Sequence, residues 1–141
     1  MNKHFFIFFL LCAVSTLSYS QDKTPPAKGN ELEWHTSLEE VHLLSKASHK
    51  PIFAFFTGSD WCIWCKRLQS NVFAKPEFIA WAKKNVILLE LDFPRQKRLA
   101  PELEQQNNGM QQALKITGYP TVWLIFTTHD EATNNINLST L

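Results

Sequence analysis

The sequence has few cysteines and few glycines, and neither sign of charge dominates it. Three of its 141 residues are cysteine, four are glycine, and the formal net charge is +1. A secreted scaffold held together by disulfides needs four or more cysteines, so that class is excluded. The balanced charge leaves no footprint of nucleic-acid binding. The length suits one domain, and a hydrophobic content of 45% suits a globular one.

Long hydrophobic runs are also absent, and the one short run lies at the N-terminus. A positive opening, residues 1–4, precedes ten apolar residues, 5–14, and the small residues Ser18 and Ser20 follow at the two positions that a signal peptidase reads. This order is typical of a secretory signal peptide, and we predict cleavage before Gln21. An uncleaved membrane anchor is the alternative, but a spanning helix needs about 20 apolar residues.

Cleavage at this point would leave a single close pair of cysteines. Cys12 would be lost with the signal; it could mark a lipoprotein, but Leu11 stands where a small residue is required. The protein is therefore expected to be periplasmic or secreted, with no stable membrane insertion after cleavage. Because a disulfide that closes a tiny loop adds little stability, we attribute Cys62 and Cys65 to chemistry rather than to structure.

The remaining cysteines stand between a predicted strand and a predicted helix. Residues 52–57 are almost wholly apolar, which favours a strand buried on both faces, and residues 66–70 suit a helix. Cys62 therefore falls at a helix N-terminus, where free backbone N–H groups and the helix dipole stabilise a thiolate. A cysteine with a pKa near 8.5 is about 3% ionised at pH 7, and a pKa of about 7 raises this to roughly half. The pair is thus suited to a reversible disulfide.

Helices and strands alternate along the rest of the chain. This alternation predicts right-handed crossovers and a parallel core sheet. The predicted domains are a signal peptide (1–20), a flexible linker (21–33) and a single domain (34–141). The predicted elements are a helix from a capping box at Thr36 and Glu39 to residue 48, a strand at 52–57, a helix to about 72, a short helix at 76–82, a strand at 86–92, a helix at 102–115 interrupted near 107–109, and a strand at 121–127.

The order strand, Trp-Cys-x-x-Cys, helix, strand, helix, Gly-Tyr-Pro-Thr, strand resembles the thioredoxin superfamily. Residues 116–121 are similar to the family's segment before its cis-proline. Residues 56–62 and 71–78 resemble one branch, the exported thioredoxin-like proteins of bacteria, which include the periplasmic thioredoxin-like domain of the Dsb reductant-transfer system. The resemblance covers about residues 34–127. It implies an α/β, thioredoxin-like fold whose mostly parallel central sheet is flanked by helices.

Two features depart from the family pattern. The family carries a buried acid, used as a proton relay, on the strand before the cysteines. That place falls to Phe55 here, so a relay would need water or another group such as Glu90 or Asp92. The family fold also ends with an antiparallel strand and a terminal helix, and only residues 136–141 could begin that strand. We therefore expect a domain that lacks its last strand and terminal helix, either as a fragment, which we favour, or with an exposed sheet edge.

The resemblance also implies roles for individual residues. Cys62 would be the exposed attacking thiolate and Cys65 the buried resolving thiol. Pro120 would be the cis-proline whose loop, with Tyr119, offers hydrogen bonds to a substrate backbone; an ordinary trans proline is the alternative. Trp61 would form a flat wall for the substrate, and a packed core aromatic is the alternative.

The residues around the cysteines narrow the choice of chemistry further. Lys66 excludes a c-type haem, which needs histidine at that position, and zinc lacks the further ligands it requires, so we expect no cofactor and no metal. Bulky Ile63 and Trp64 should affect the reduction potential in a direction that the sequence does not reveal. Three cations lie in the loop 93–101, where solvated side chains are the simpler interpretation and a docking patch for an acidic partner is the other. These are Arg95, Lys97 and Arg98.

Together these features predict an exported thiol–disulfide oxidoreductase, a protein-disulfide reductase or isomerase that acts through Cys62 and Cys65. Its expected partners are protein dithiol or disulfide substrates and an upstream thiol electron donor, and no nucleic acid. A non-catalytic thioredoxin-like binding module with a static disulfide is the alternative. A thiol peroxidase is less consistent with the sequence because such sites lack this Cys-x-x-Cys arrangement.

Overall fold

Helices and strands alternate along most of the chain in the computed structural model, which describes residues 31–133 and 135–140. The predicted signal peptide, its cleavage point and all but the end of the predicted linker lie outside these residues. The strands are β1 (Trp34–His35), β2 (Ile52–Thr57), β3 (Ile87–Asp92), β4 (Thr121–Asp130) and β5 (Asn135–Thr140). The helices are α1 (Leu38–Ser48), α2 (Ile63–Leu68), α3 (Pro76–Asn85) and α4 (Pro101–Ala113), and a π-helical segment (Gln69–Phe73) continues α2.

The strands form one sheet in the order β1-β3-β2-β4-β5. β1, β3 and β2 are parallel to one another, whereas β4 is antiparallel to β2 and β5 is antiparallel to β4. The predicted α/β, thioredoxin-like fold is confirmed, but its sheet is mixed rather than mostly parallel. The physical reason is that residues 114–120 carry the chain to the C-terminal end of β2, where Thr121 is paired with Phe56, so β4 must run back.

The expectation that the last strand is missing is wrong, because β5 occupies that place. It pairs with β4 along its whole length, from Asn135 opposite Asp130 to Thr140 opposite Ile125. Ile136 and Leu138 are half-buried while their neighbours are exposed, and Leu138 packs against the core. This alternation is typical of a strand with one face on the core. Nothing described tests the expected lack of a terminal helix.

The sheet separates two hydrophobic clusters, and β2 contributes to both of them. All six residues of β2 are buried, as predicted for a strand covered on both faces. Ile52, Ala54 and Phe56 belong to the first cluster, which includes residues of α1 and α4. Phe53 and Phe55 belong to the second, which includes Phe73, Ala82 of α3 and both cysteines. We call the face that carries the second cluster the cysteine face of the sheet.

Two helices differ in detail from their predicted form. α1 is capped by Ser37, whose Oγ accepts the N–H of Glu40 at 3.3 Å, and not by Thr36. α4 runs without interruption because the side chain of Asn107 donates to the carbonyl of Asp92 at 2.9 Å and ties the helix to the end of β3. Within residues 31–133 and 135–140, no helix is both long and apolar enough to cross a membrane.

Candidate active site

Cys62 and Cys65 lie at the start of α2, a few residues beyond the C-terminal end of β2. Cys62 is the N-cap residue of the helix, and its Sγ accepts the backbone N–H of Cys65 at 3.2 Å. A tight turn holds this position, because the N–H of Cys62 donates to the carbonyl of Gly58 at 2.8 Å. The two cysteines form a disulfide, with 5.3 Å between their Cα atoms. That separation lies in the usual range for disulfides, so the bridge can form without displacement of the backbone.

The exposure of Cys62 differs from the prediction. Its exposed fraction is 4% and that of Cys65 is 0%, so Cys62 is the more accessible of the two but is not an exposed side chain in the oxidised form. The reason is that both cysteines belong to the second hydrophobic cluster, against which Trp61 and Tyr119 pack. The residues between the cysteines point outward instead, as the 62% exposure of the Trp64 side chain shows.

Trp61 is held by contacts on several sides. Its Nε1 donates to the carbonyl of Phe93 at 2.8 Å, and its ring meets that of Tyr119 edge to face at 5.8 Å. The guanidinium of Arg95 lies over the indole, 3.7 Å from the ring centroid. Trp61 is half-buried and packs against the second hydrophobic cluster. Both interpretations made from the sequence therefore apply in part: one part of the ring is packed in the core, and the exposed part borders the candidate site.

The indole of Trp61 lies directly against Gly58, which sequence reasoning did not single out. A Cβ built on Gly58 would be 2.5 Å from both Cε2 and Nε1 of the indole. Only glycine allows this approach, because the hydrogen bond to Phe93 holds the ring in place. An isolated glycine between a predicted strand and the cysteines is the signal that could have revealed it.

We expect Gly58→Ala to destabilise the protein by about 1–3 kcal/mol, because the added methyl group displaces Trp61 or strains the turn. The measurement is urea unfolding followed by circular dichroism, with tryptophan fluorescence as a local readout. Gly109→Ala is the matched control. Gly109 lies inside α4 with nothing within 4 Å of a built Cβ, so alanine should stabilise the protein there by about 0.5–1 kcal/mol. Unchanged stability and fluorescence in Gly58→Ala would contradict this account of Trp61.

Asp60 is a second residue that the sequence analysis missed. Its carboxylate accepts the backbone N–H of Gln96 at 2.7 Å and that of Arg95 at 3.0 Å. The N–H of Gln96 is the main cause that lowers the pKa of Asp60, and that of Arg95 contributes, while burial opposes them. The loop that carries the three cations is therefore fastened to the residue two positions before Cys62.

Asp92 fastens the same region from the end of β3. Its Oδ1 accepts the N–H of Ser59 at 2.8 Å and its Oδ2 accepts the hydroxyl of Ser59 at 2.6 Å. Lys97 forms an ion pair with the same carboxylate at 3.0 Å, and the interaction raises the pKa of Lys97. Most of the hydrogen-bonding capacity of Asp92 is therefore occupied by local structure.

The predicted substrate loop, which contains Tyr119 and Pro120, lies beside the second hydrophobic cluster. The Tyr119–Pro120 peptide bond is cis, as the resemblance implies. Tyr119 packs against the second cluster, contacts the ring of Phe93 at 5.1 Å, and accepts a hydrogen bond on its hydroxyl from Nε2 of Gln111 at 3.0 Å. Burial raises the pKa of Tyr119. The structure therefore brings Trp61, Tyr119 and the cysteines together, with Pro120 as the next residue along the chain.

The place of the family's buried acid is apolar, as predicted. Phe55 is wholly buried and packs against the rings of Trp34 at 5.8 Å and Phe73 at 5.0 Å. The strand register places Glu90 beside Phe55, and the alternation of β3 puts Glu90 and Asp92 on the cysteine face. Burial raises the pKa of Glu90, the charge of Asp92 raises it further, and Lys97 partly offsets both.

One buried polar group on the same face is unsatisfied. Thr57 is wholly buried, and its Oγ1 has no hydrogen-bond partner within the part of the chain that the structure describes. Thr57 is paired in register with Asp92.

As for metals, the described residues contain no group of three or more His, Cys, Asp or Glu side chains that could hold an ion.

Comparison with known proteins identifies the family. The family model described as "Thioredoxin-like domain" matches residues 39–129. The chain is 36% identical over 103 residues to the disulfide bond reductase DsbH of Chlamydia pneumoniae, covering 73% of this chain and 61% of that protein. It is 26% identical over 102 residues to the thioredoxin-related protein DsbJ of the same organism, covering 72% of this chain and 29% of that one. The chain thus spans less than two thirds of the length of the curated relatives it matches.

Solved structures agree with this assignment. A DsbH oxidoreductase is similar with a TM-score of 0.65 at 31% identity, over 85% of this chain and 80% of that one. A thioredoxin from Thermus thermophilus has a TM-score of 0.51 at 13% identity, over 76% and 71% of the two chains, and this likeness bears on the fold alone. With its Cys-x-x-Cys disulfide at a helix start and its mixed sheet, the chain belongs to the thioredoxin-like domain family.

Proposed function

We propose that this protein is an exported thiol–disulfide oxidoreductase that reduces or isomerises protein disulfides. The observation that carries the proposal is the Cys62–Cys65 disulfide at the start of α2, where Cys62 Sγ already accepts the N–H of Cys65. A hydrogen bond from a backbone amide favours the charged form of a thiol. The likeness to a protein named disulfide bond reductase supports the same chemistry.

The proposed reaction begins with both cysteines reduced. The Cys62 thiolate attacks one sulfur of a substrate disulfide, forms a mixed disulfide and releases the other substrate sulfur as a thiolate, which takes up a proton. Cys65 then loses its proton and attacks Cys62 Sγ, which frees the second substrate thiol and closes the Cys62–Cys65 disulfide. The substrate gains two electrons and the protein loses two. A dithiol donor, which the proposal requires as a partner, reverses the oxidation.

We assign three further residues to substrate binding. Tyr119 and Pro120 would present the backbone of their loop to an extended substrate segment, and Trp61 would form the adjoining wall. Tyr119 and Trp61 pack against each other and against the second hydrophobic cluster, and this packing supports these roles. Because Cys62 is the more accessible cysteine, it is the one that a substrate sulfur can approach.

A binding module with a static disulfide is the second candidate, and the 4% exposure of Cys62 is the observation that favours it. The equilibrium potential of the Cys62–Cys65 couple against glutathione or dithiothreitol separates the two functions. We expect a value between about −270 mV, as in thioredoxin, and about −180 mV, as in a disulfide isomerase. A potential below about −300 mV would contradict the catalytic proposal and support the static disulfide.

Export to the periplasm or the medium is part of the proposal, and so are the domain limits at residues 20 and 33. The limit at residue 20 is supported by the N-terminal pattern of charge and hydrophobicity, and the limit at residue 33 by the polar stretch 21–33 with its prolines and glycine. N-terminal sequencing of the protein recovered from cells would test export and the limit at residue 20. A chain that begins at Gln21 is expected, and a chain that retains the first 20 residues would contradict the signal peptide.

A further inference from the structure

Arginine side chains stack on the two tryptophans that stand on either side of Cys62 in the sequence. On one side the guanidinium of Arg95 lies 3.7 Å from the ring centroid of Trp61, the residue before the cysteine. On the other side the guanidinium of Arg67 lies 4.7 Å from the ring centroid of Trp64, which is 62% exposed. Each pair thus holds a positive charge over the ring of a tryptophan that lies within two positions of Cys62 in the sequence.

The stacked arrangement leaves both arginines able to bind a carboxylate. A guanidinium that lies over an aromatic ring uses its face for the ring, and its N–H groups remain at the edge, where they match the two oxygens of a carboxylate. Stacking also restricts the side chain beforehand, so that less conformational freedom is lost on binding. Neither Arg67 nor Arg95 forms an ion pair with any of residues 31–133 and 135–140.

The charges around the two pairs leave an excess of cations. Lys66 follows Cys65 directly, and Lys97 and Arg98 line, with Arg95, a cavity of about 390 Å³ beside the loop. Four acids stand against these five cations: Asp60 accepts backbone amides, Asp92 is paired with Lys97, Glu90 is half-buried, and Glu104 lines the same cavity. The local excess is therefore one positive charge, and the two stacked guanidinium groups, which form no ion pair with a described residue, are the cations free to meet a carboxylate.

From these observations we propose that the protein selects disulfides in acidic peptide segments. A cysteine flanked by Asp or Glu would place its sulfur at Cys62 and its carboxylates on Arg67 and Arg95. The exposed apolar side chains of Ile63 and Trp64 would cover the neighbouring residues of the segment. This inference rests on the proposed function and adds the class of substrate to it.

The test uses three peptides that differ only in the residues beside one cysteine, which are glutamate, glutamine or lysine. The cysteine is carried as a mixed disulfide with thionitrobenzoate. The Cys62 thiolate of the reduced protein attacks the peptide sulfur and expels thionitrobenzoate, whose absorbance gives the rate; Cys65 then releases the peptide as a thiol. We expect the glutamate peptide to react about tenfold faster than the lysine peptide at low ionic strength. The ratio should approach one at about 1 M salt, where the Debye length is about 3 Å.

The variant Arg67→Gln/Arg95→Gln should lower the ratio of the two rates to about threefold or less. The matched control is Lys46→Gln/Lys84→Gln, which removes the same charge from the last turns of α1 and α3. Those turns precede β2 and β3 and so lie at the opposite end of the strands from Cys62. The control should retain the full ratio. The salt series uses only the unaltered protein, so its result does not depend on whether the variants fold.

The possible outcomes separate this inference from the proposed function. If all three peptides react at equal rates at low salt, or if the arginine variant keeps the full ratio, the acidic preference is wrong while the oxidoreductase stands. If the mixed disulfide of glutathione with thionitrobenzoate reacts as fast as the glutamate peptide, a small anionic disulfide is the occupant and the peptide proposal is overturned. If no peptide reacts with the unaltered protein, the proposed function itself fails.

Discussion

Replacing Cys62 with serine is expected to reduce the rate of insulin reduction by dithiothreitol to that of dithiothreitol alone. The hydroxyl of serine cannot form a disulfide with the substrate, and Cys65 is wholly buried, so it cannot replace Cys62 in the first attack. The measurement is the turbidity of precipitating insulin chains. A Cys62→Ser variant that still accelerates precipitation would show that the first attack does not come from Cys62.

Cys65→Ser is the matched variant, and its expected defect is of a different kind. The first attack by Cys62 still occurs, but the mixed disulfide has no neighbouring thiol to resolve it. When the reduced variant is mixed with insulin after dithiothreitol has been removed, it should therefore accumulate as a covalent complex that is visible on a non-reducing gel, whereas Cys62→Ser should form none. Equal amounts of complex in both variants would contradict the assignment of the two roles.

Phe55→Asp is expected to cost about 5 kcal/mol or more of unfolding free energy, which is comparable to the whole stability of a marginally stable domain. The substitution removes a wholly buried ring that packs against Trp34 and Phe73, and it puts a carboxylate in their place. The register neighbour Glu90 adds like charge. The measurement is urea unfolding at pH 7. The family's buried acid is therefore not simply interchangeable with the phenylalanine of this chain.

Two controls and a pH series test the reason for this loss. Phe55→Leu keeps the site apolar and should cost at most about 1.5 kcal/mol, and Phe126→Asp places the same charge on a residue that is 36% exposed, at a cost of about 1 kcal/mol. Burial raises the pKa of the new carboxyl above its unfolded value of about 3.9. The charge penalty is therefore fully present above the folded-state pKa and disappears as the pH falls to about 3.9. A loss that does not depend on pH would show that the missing ring, and not the charge, is its cause.

Local patterns were sufficient for the elements that present the cysteines. β2 begins and ends at the predicted residues because its apolar run is continuous, and β3 begins one residue later than predicted. α4 was predicted to break near Gly109, but the side chain of Asn107 anchors the helix to β3 and the helix continues. The start of α1 was assigned to the wrong one of two adjacent hydroxyl residues, because both Thr36 and Ser37 are suitable capping residues.

These local patterns did not predict which strands pair or in which direction they run. The direction of β4 depends on the end of β2 to which residues 114–120 lead. β5 forms a strand because the free edge of β4 is available for pairing. A six-residue segment that contains two asparagines has a reduced intrinsic preference for a strand, so its partner decides its structure.

The amino-acid sequence by itself determined the motifs on which the proposed chemistry depends: a Cys-x-x-Cys pair between a buried strand and a helix, and a Tyr-Pro-Thr segment before a later strand. These depend on residues a few positions apart, whose spacing is readable along the chain. Only the tertiary structure decided the surroundings of the cysteines. Burial of Cys62 and the stacking of Arg95 on Trp61 join residues more than 30 positions apart in sequence, because Asp60 and Asp92 fold the loop after β3 onto the turn after β2.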